Sequence, residues 1–450
     1  MRVASWRRAF AVALLLLIFV AACSRREETP PAPTVTLPVA TAAGPAPAAT
    51  GASVTPLVPS PAATEAAYLP LVRGEESPTP LPVIATATAT PPPTETPPAY
   101  PTYAGPPPAR DLLGIQLHIH REDYDVLFDW LEELPVGWVK VQVSWKLYEP
   151  SPGQLDAFRI DELDRFIARA RAAGLQVLLS VAKAPEWSRP TTEMDGPPAD
   201  YAAFTGFMQT LAARYQGQVA AYELWNEPNL QREWNGEPLS AARTVALIQA
   251  GAQGVAAADP GALLVSAAPA TTGIDDGVTA IDDRRFLREM VAAGLLQTVD
   301  GVGVHPYGWA NPPDASAAAP DAASPSHNNH PSFFFADTLR DYRAILAEAG
   351  YPEMPLWSTE FGWASYEGME AAPPSGAEYM AHVNEWQQAA YTLRALALAE
   401  ELHAGGPLFL WNLNFAPTFG NAFTESAYSI LRPDGRPRPL FLALQALETR

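Results

Sequence analysis

The chain has 450 residues, of which 48 are proline, and a formal net charge of −20 from 29 basic and 49 acidic residues. An acidic surface repels phosphate backbones, so this balance argues against nucleic acid as a partner. The single cysteine, Cys23, excludes a disulfide within the chain and a cysteine zinc cluster.

The N-terminus has the pattern of an export signal. A basic start precedes the apolar run Ala9–Ala22, which is too short for a comfortable membrane-spanning helix. The run ends in Val20-Ala21-Ala22-Cys23, which resembles the lipobox of bacterial lipoproteins. This resemblance implies cleavage after a signal peptide of residues 1–22 and acylation of Cys23, so we expect an exported protein that a lipid anchors to the outer face of a membrane. A plain signal peptide or an uncleaved anchor is the alternative.

Residues 23–108 form a tract rich in proline, threonine and alanine, exemplified by Thr86–Pro98 (TATATPPPTETPP). Such a composition offers too little apolar surface to form a packed core, and proline keeps the backbone extended. We therefore predict a disordered linker over 23–108, followed by a globular domain over 109–450.

The globular part alternates short apolar strands with amphipathic helices. The predicted strands are Gly114–His118, Trp138–Ser144, Gln176–Val181, Ala221–Trp225, Ala262–Ala267, Gly301–Val304, Leu356–Thr359 and Leu408–Leu413. The predicted helices are Asp161–Ala173, Ala203–Tyr215, Ala241–Ala258, Phe286–Ala293, Phe335–Ala349, Trp386–Leu402 and Pro439–Leu447. This alternation predicts a parallel sheet covered by helices, and eight units fit a closed (β/α)₈ TIM barrel. A doubly wound open sheet is the alternative, but no glycine-rich phosphate loop follows the first strand.

In such a barrel the C-terminal ends of the strands meet at one mouth, where the chemistry takes place. The residues at these ends are His118, His120, Trp145, Lys183, Trp187, Asn226, Glu227, His305, Tyr307, Trp309, Glu360, Trp363, Trp411 and Asn412. Aromatic faces stack on sugar rings, and amides, imidazoles and carboxylates bind hydroxyl groups. The mixture is therefore typical of a carbohydrate site.

Two motifs carry a resemblance to glycoside hydrolase clan A. They are Trp225-Asn226-Glu227-Pro228-Asn229 at the end of the fourth strand and Trp357-Ser358-Thr359-Glu360-Phe361-Gly362-Trp363 at the end of the seventh. The segment Trp145–Gly174, the triplet His305-Pro306-Tyr307 and Trp411 are similar to clan members too, nearest to those of families 39 and 5. The resemblance implies that Glu227 is the acid/base and Glu360 the nucleophile.

The resemblance also assigns roles around the two glutamates. It implies that Asn226 binds the 2-hydroxyl of the sugar, that Tyr307 holds Glu360 in position and that Trp411 forms the floor under the scissile sugar. The further candidates for substrate binding are His305, Trp145, Trp187 and His118. A structural pair of His305 and Tyr307 below the site is the alternative for those two residues.

The chemistry of glycosidic bonds fits this assignment. Cleavage needs a proton for the leaving oxygen and stabilisation of an oxocarbenium ion, and two carboxyl groups supply both. An ionised Glu360 is expected to raise the proton affinity of Glu227. We expect a monomeric glycosidase that acts by double displacement on a poly- or oligosaccharide, with neither cofactor nor metal. The alternatives are a catalytically inactive carbohydrate-binding lipoprotein on the same barrel and an anchored structural protein.

Overall fold

Eight parallel strands form the sheet in the part of the chain that the computed structural model describes, residues 99–320 and 327–450. They are β1 (Leu113–Leu117), β2 (Trp138–Ser144), β3 (Gln176–Ala182), β4 (Ala221–Leu224), β5 (Leu263–Ser266), β6 (Val302–Val304), β7 (Leu356–Phe361) and β8 (Gly405–Leu410). Their order is β5-β4-β3-β2-β1-β8-β7-β6. The ring closes between β5 and β6, where Val265 and Gly301 form a parallel bridge. The predicted (β/α)₈ barrel is confirmed.

Helices alternate with the strands around the outside. They are α1 (Tyr124–Glu132), α2 (Trp145–Tyr148), α3 (Ala157–Ala172), α4 (Tyr201–Arg214), α5 (Ala241–Ala258), α6 (Asp283–Ala292), α7 (Phe335–Glu348), α8 (Glu385–Glu401), α9 (Phe415–Phe419) and α10 (Pro439–Gln445). Helix α3 begins four residues before the start predicted for it, Asp161. The reason is that the Asp156 side chain accepts a hydrogen bond from the Arg159 N–H at 2.9 Å. An aspartate in this position caps the first turn, so the helix begins directly after it.

The lower end of the barrel, where the N-terminal ends of the strands meet, has a packed interior. Six strands contribute one apolar cluster made of Trp138, Leu178, Ala221, Val265, Trp357 and Phe409. The rings of Trp138 on β2 and Trp357 on β7 meet edge to face with centroids 5.2 Å apart, across the interior. Because this cluster fills the bottom, we look for the site at the upper end of the barrel, where the carboxyl ends of the strands meet.

The two ends of the described domain meet below the strands. The Arg450 N–H donates to the Pro108 carbonyl at 3.1 Å, and the Arg110 N–H donates to the Arg450 carbonyl at 3.2 Å. Tyr100 and Tyr103 pack against the core, so the structure differs here from the linker predicted over 23–108. The two tyrosines supply an apolar contact that the proline-rich composition obscured. The signal peptide, Cys23 and the linker up to residue 98 lie outside the described residues.

Within residues 99–320 and 327–450, no helix combines the length and the apolar character that a membrane span requires.

Candidate active site

Glu227 and Glu360 reach the upper end of the barrel from two different strands. Glu227 follows β4 in a turn where both Trp225 and Glu227 have positive φ, 83° and 41°. L-residues adopt this left-handed conformation at an energetic cost, which is often tolerated at functional sites. The turn is fixed by the Glu227 N–H, which donates to the Ala268 carbonyl at 3.1 Å. Glu360 lies within β7 itself and is buried.

The two carboxylates lie close to each other and share one imidazole. The side-chain oxygens of Glu227 and Glu360 and a ring nitrogen of His305 lie within 4.8 Å of one another. His305 Nδ1 is 3.1 Å from Glu227 Oε1 and 3.9 Å from Glu360 Oε2. The Tyr307 hydroxyl donates to Glu360 Oε2 at 3.1 Å. Retaining glycosidases hold their carboxyl groups about 5–5.5 Å apart and inverting ones about 6.5–9.5 Å apart. An oxygen–oxygen separation within 4.8 Å is in keeping with the shorter of these spacings.

A fully buried ion cluster lies beneath Glu360, and the sequence analysis did not find it. Lys140 on β2 donates to Glu360 Oε1 at 3.2 Å and to the Thr359 carbonyl at 3.0 Å, and its Nζ lies 3.1 Å from Glu223 Oε2 on β4. Burial by itself lowers the pKa of Lys140, but Glu223 and Glu360 outweigh it and the pKa is raised. Lys140 therefore stays charged and holds Glu360 from below.

Arg232 forms an ion pair with Glu227 from the side of the pocket, with its Nη2 2.9 Å from Glu227 Oε2. Burial favours the neutral form of Glu227. The hydrogen bond with His305 and the charge of Arg232 outweigh burial, so the pKa of Glu227 is lowered. The direction expected from the sequence was the opposite, because that expectation included the charge of Glu360 but neither His305 nor Arg232.

His305 is fully buried between the two carboxylates. Burial lowers its pKa, but the charges of Glu360 and Glu227 outweigh burial and the pKa is raised. Its Nε2 has no hydrogen-bond partner among the described residues. Glu227, His305 and Glu360 together have the donor types of a metal site. Lys140 and Arg232, however, already supply positive charge to both carboxylates.

The pocket above the carboxylates has a mixed aromatic and polar wall. It is lined by Gln142, Asn226, Glu227, Leu230, Arg232, Ala270, Thr271, Thr272, Tyr307, Trp309, Glu360, Tyr379, Trp411 and Tyr428. Asn226 Oδ1 is buried and has no hydrogen-bond partner among the described residues, so it is available to a hydroxyl of a ligand. Trp411, 6 % exposed, lines the pocket. Trp309, which the sequence analysis placed at a strand end, lines the pocket as well.

Four of the seven predicted binding residues do not line this pocket. His305 is one of them, because it is buried between the two carboxylates. Trp145 is fully buried and stacks on Phe207 with ring centroids 5.2 Å apart, because it begins α2 and turns towards α4. Trp187, 37 % exposed, donates to the Glu149 carbonyl at 2.9 Å. His118 is paired with Glu122, with Nδ1 3.2 Å from Oε1.

Arg232, Tyr379 and Tyr428 are pocket residues that the sequence analysis missed. All three lie in connecting segments well beyond a strand end, where distance along the chain does not indicate nearness to the mouth. The sequence did contain one indication that Arg232 lies near the site, since it is a charged residue only five positions after Glu227.

Comparison with known proteins identifies the family of the chain. The sequence matches the model of the family described as cellulase (glycosyl hydrolase family 5) over residues 112–386. It matches no curated protein.

The fold is similar to several solved structures. One is a family 39 glycoside hydrolase from the gut symbiont Bacteroides cellulosilyticus WH2, with a TM-score of 0.57 and 19% identity over 76% of this chain and 63% of that one. Another is a glucosidase from Croceicoccus marinus, with a TM-score of 0.53 and 16% identity over 76% and 69%. A third is the family 53 catalytic domain of Ignisphaera aggregans, with a TM-score of 0.52 and 16% identity over 78% and 100%. The chain thus spans less than two thirds of the family 39 enzyme.

At these identities the solved structures support the barrel, whereas the family model carries the assignment. Its match covers more than half of the chain and includes both Glu227 and Glu360. The chain therefore belongs to the cellulase family, glycosyl hydrolase family 5, and is a glycosidase, a hydrolase that acts on glycosyl bonds.

Proposed function

We propose that this glycosidase retains anomeric configuration, with Glu360 as the nucleophile and Glu227 as the acid/base. The observation that carries the proposal is the separation of the two carboxylates, whose nearest oxygens lie within 4.8 Å. Inverting enzymes need a wider gap because a water molecule must fit between carboxylate and sugar. In the proposed mechanism the carboxylate of Glu360 itself attacks the anomeric carbon.

In the first step a Glu360 oxygen attacks the anomeric carbon while the bond from that carbon to the leaving oxygen breaks. Glu227 gives its proton to the leaving oxygen, so the products are a glycosyl ester on Glu360 and a free alcohol. Lys140 and Tyr307 hold the attacking carboxylate through its two oxygens, at 3.2 and 3.1 Å. This fixed orientation lowers the entropic part of the barrier.

In the second step the ionised Glu227 removes a proton from water, whose oxygen attacks the same carbon. The ester bond breaks, Glu360 regains its charge and Glu227 is protonated again. His305 Nδ1 lies 3.1 Å from Glu227 Oε1, where it orients the carboxylate for both transfers.

The proposed substrate is a poly- or oligosaccharide. The pocket supports this with Trp411 as a stacking surface and Asn226 Oδ1 as a hydrogen-bond acceptor without a partner among the described residues. We further propose that the enzyme is a monomer anchored outside the cell by a lipid on Cys23. This part rests on the sequence alone, through the lipobox-like ending of the apolar run.

The mechanism is tested with Glu227→Ala and Glu360→Ala on aryl glycosides of a panel of sugars. Glu227→Ala should slow substrates with poor leaving groups by about 100-fold or more and spare activated dinitrophenyl leaving groups, because only the former need the proton. Glu360→Ala should abolish both activities. Product NMR should show retention at the first anomer formed. An inverted first anomer contradicts the assignment of Glu360 as the nucleophile.

A further inference from the structure

Gln142 is a polar residue of the pocket that takes no part in the proposed mechanism. Alternate residues of a strand share one face, so Trp138, Lys140 and Gln142 on β2 all face the barrel interior. Trp138 belongs to the apolar cluster at the lower end, Lys140 to the buried ion cluster and Gln142 to the pocket lining. Two residues of a parallel strand rise by about 6.6 Å, so Gln142 lies one such step nearer to the mouth than Lys140.

The amide of Gln142 is not used by the protein. The residue is half-buried, and within residues 99–320 and 327–450 no side chain or backbone group hydrogen-bonds to its side chain. Lys140, by contrast, contacts Glu223, Glu360 and the Thr359 carbonyl. A primary amide has an oxygen that accepts and two N–H groups that donate. In Gln142 these groups are satisfied by solvent or by a ligand in the pocket.

Gln142 and Trp411 stand on the two sides of β1. The strand order β2-β1-β8 places β1 between Gln142 on β2 and Trp411, which directly follows β8. Both residues line the pocket, whereas no residue of β1, Leu113–Leu117, does so. A sugar ring that stacks on Trp411 can therefore turn an edge towards β2. Hydroxyl groups project from the edge of a sugar ring, where the amide of Gln142 can bind one.

We propose that Gln142 determines specificity by binding a hydroxyl group of the glycone other than the 2-hydroxyl. The 2-hydroxyl is assigned to Asn226, which follows β4, so the two amides meet the ring from different strands. An amide can both donate to a hydroxyl oxygen and accept its proton, so a sugar without this hydroxyl leaves the amide unpaired in the filled pocket. This inference rests on the proposed function, since it concerns the sugar that Glu360 attacks.

The test combines Gln142→Met with mono-deoxy substrates. The probes are the 4-nitrophenyl glycoside of whichever sugar the panel shows to be hydrolysed and its deoxy derivatives at every hydroxyl except the 2-hydroxyl. Gln142→Met should lower kcat/KM on the parent by about tenfold or more, because it removes a hydrogen bond within the pocket. On one deoxy glycoside it should match the wild type within about twofold, since that bond is already absent. Each comparison uses one probe, so the effect of deoxygenation on reactivity cancels.

Gln176→Met is the matched control, because Gln176 is also a half-buried strand glutamine but begins β3 at the lower end, and it should equal the wild type on every probe. Gln142→Ala should repeat the pattern of Gln142→Met and replaces it if that variant does not fold. Wild-type activity of the Gln142 variants on the parent contradicts the inference and leaves the proposed function intact. An equal loss on every deoxy glycoside contradicts it as well, since it indicates general damage to the pocket. Absence of hydrolysis with every sugar of the panel contradicts the proposed function itself, and the inference with it.

Discussion

Lys140 occupies the middle of β2, between Val139 and Val141, in a strand whose other buried residues are mostly apolar. Burial of an unpaired ammonium group is costly, because removing an ion from water is unfavourable unless the ion is paired. Here Glu223 and Glu360 supply the pairing from two other strands. The cluster therefore places a positive charge under the proposed nucleophile at the expense of core stability.

We expect Lys140→Met to lower the free energy of unfolding by about 3–5 kcal/mol, because it leaves Glu223 buried without its partner. Activity should be lost too, since Glu360 loses the donor that holds it. Urea unfolding and aryl glycoside assays measure the two effects. The double variant Lys140→Met with Glu223→Gln should regain stability and remain inactive. Lys146→Met, which removes a half-exposed partner of Asp195, should change stability by less than about 1 kcal/mol. Full activity of Lys140→Met contradicts the assigned role.

The lowered pKa of Glu227 predicts an acidic optimum. The proposed acid must be protonated in the free enzyme, whose ionisation kcat/KM reports. For neutral substrates with poor leaving groups, kcat/KM should therefore fall as the pH rises through this lowered pKa. Arg232→Gln removes one cause of the lowering, so the falling limb should move to higher pH. Dinitrophenyl glycosides need no proton and should lack this limb. A limb that does not move in Arg232→Gln shows that the ion pair has no influence on Glu227.

The site residues that could be predicted from the sequence are those at the ends of strands, because their position along the chain brings them to the mouth of the barrel. Glu227 and Glu360 became candidates because each stands at the end of an apolar strand, and parallel strands bring such ends to one place. The resemblance of their motifs to clan A then distinguished them from the other residues at strand ends. Lys140 was missed although a charge within a buried strand is itself a signal. Trp145 and Trp187 were predicted to bind substrate because each follows a strand. The directions of their side chains depend on the packing around α2, which the order of residues does not reveal.

At the scale of elements, the seam between β5 and β6 is the place where the barrel closes. Gly303 on β6 approaches Ser266 on β5, and its N–H donates to Ser266 Oγ at 3.0 Å. A Cβ at Gly303 would overlap the backbone oxygen of Ser266. The strands come this close only because glycine stands at this position.

We therefore expect Gly303→Ala to destabilise the protein by about 1–3 kcal/mol through overpacking at the seam. The control is Gly206→Ala on the exposed side of α4, where an added Cβ meets no atom within 4 Å. That change should stabilise the protein by about 0.5–1 kcal/mol, because alanine favours helix. Thermal unfolding of both variants tests the pair. A stable Gly303→Ala variant would mean that the seam has room to widen.

The elements themselves were largely predictable. Each strand is a run of apolar residues bounded by turn residues, and the intervening helices have a clear apolar face, so their alternation determines the fold class. The boundaries were less predictable because they depend on caps. Asp156 starts α3 earlier than the periodicity suggests, and β8 ends at Leu410, before Trp411.

At the scale of the whole molecule, we expect the domain to begin before residue 109. Removal of residues 1–98 should leave the melting temperature unchanged, since the proline-rich tract 23–98 has little apolar surface to contribute and the apolar run before it is expected to be cleaved off. Removal of residues 1–108 also deletes Tyr100 and Tyr103, which pack on the core, and should cost about 2 kcal/mol or more. Urea unfolding of the two shortened chains tests this difference. Equal stability of both would place the boundary at 108 after all.

Arg110 and Arg450 pair with each other through their backbones below β1, at the end of the barrel opposite Glu227 and Glu360. An engineer who couples this domain to a bead or an electrode through either terminus should therefore leave the mouth facing the medium. The same adjacency favours circular permutation at this end of the barrel, provided that the connecting peptide leaves the segment with Tyr100 and Tyr103 in place. New termini then belong in an exposed loop at the lower end, where a cut disturbs neither the pocket nor the seam.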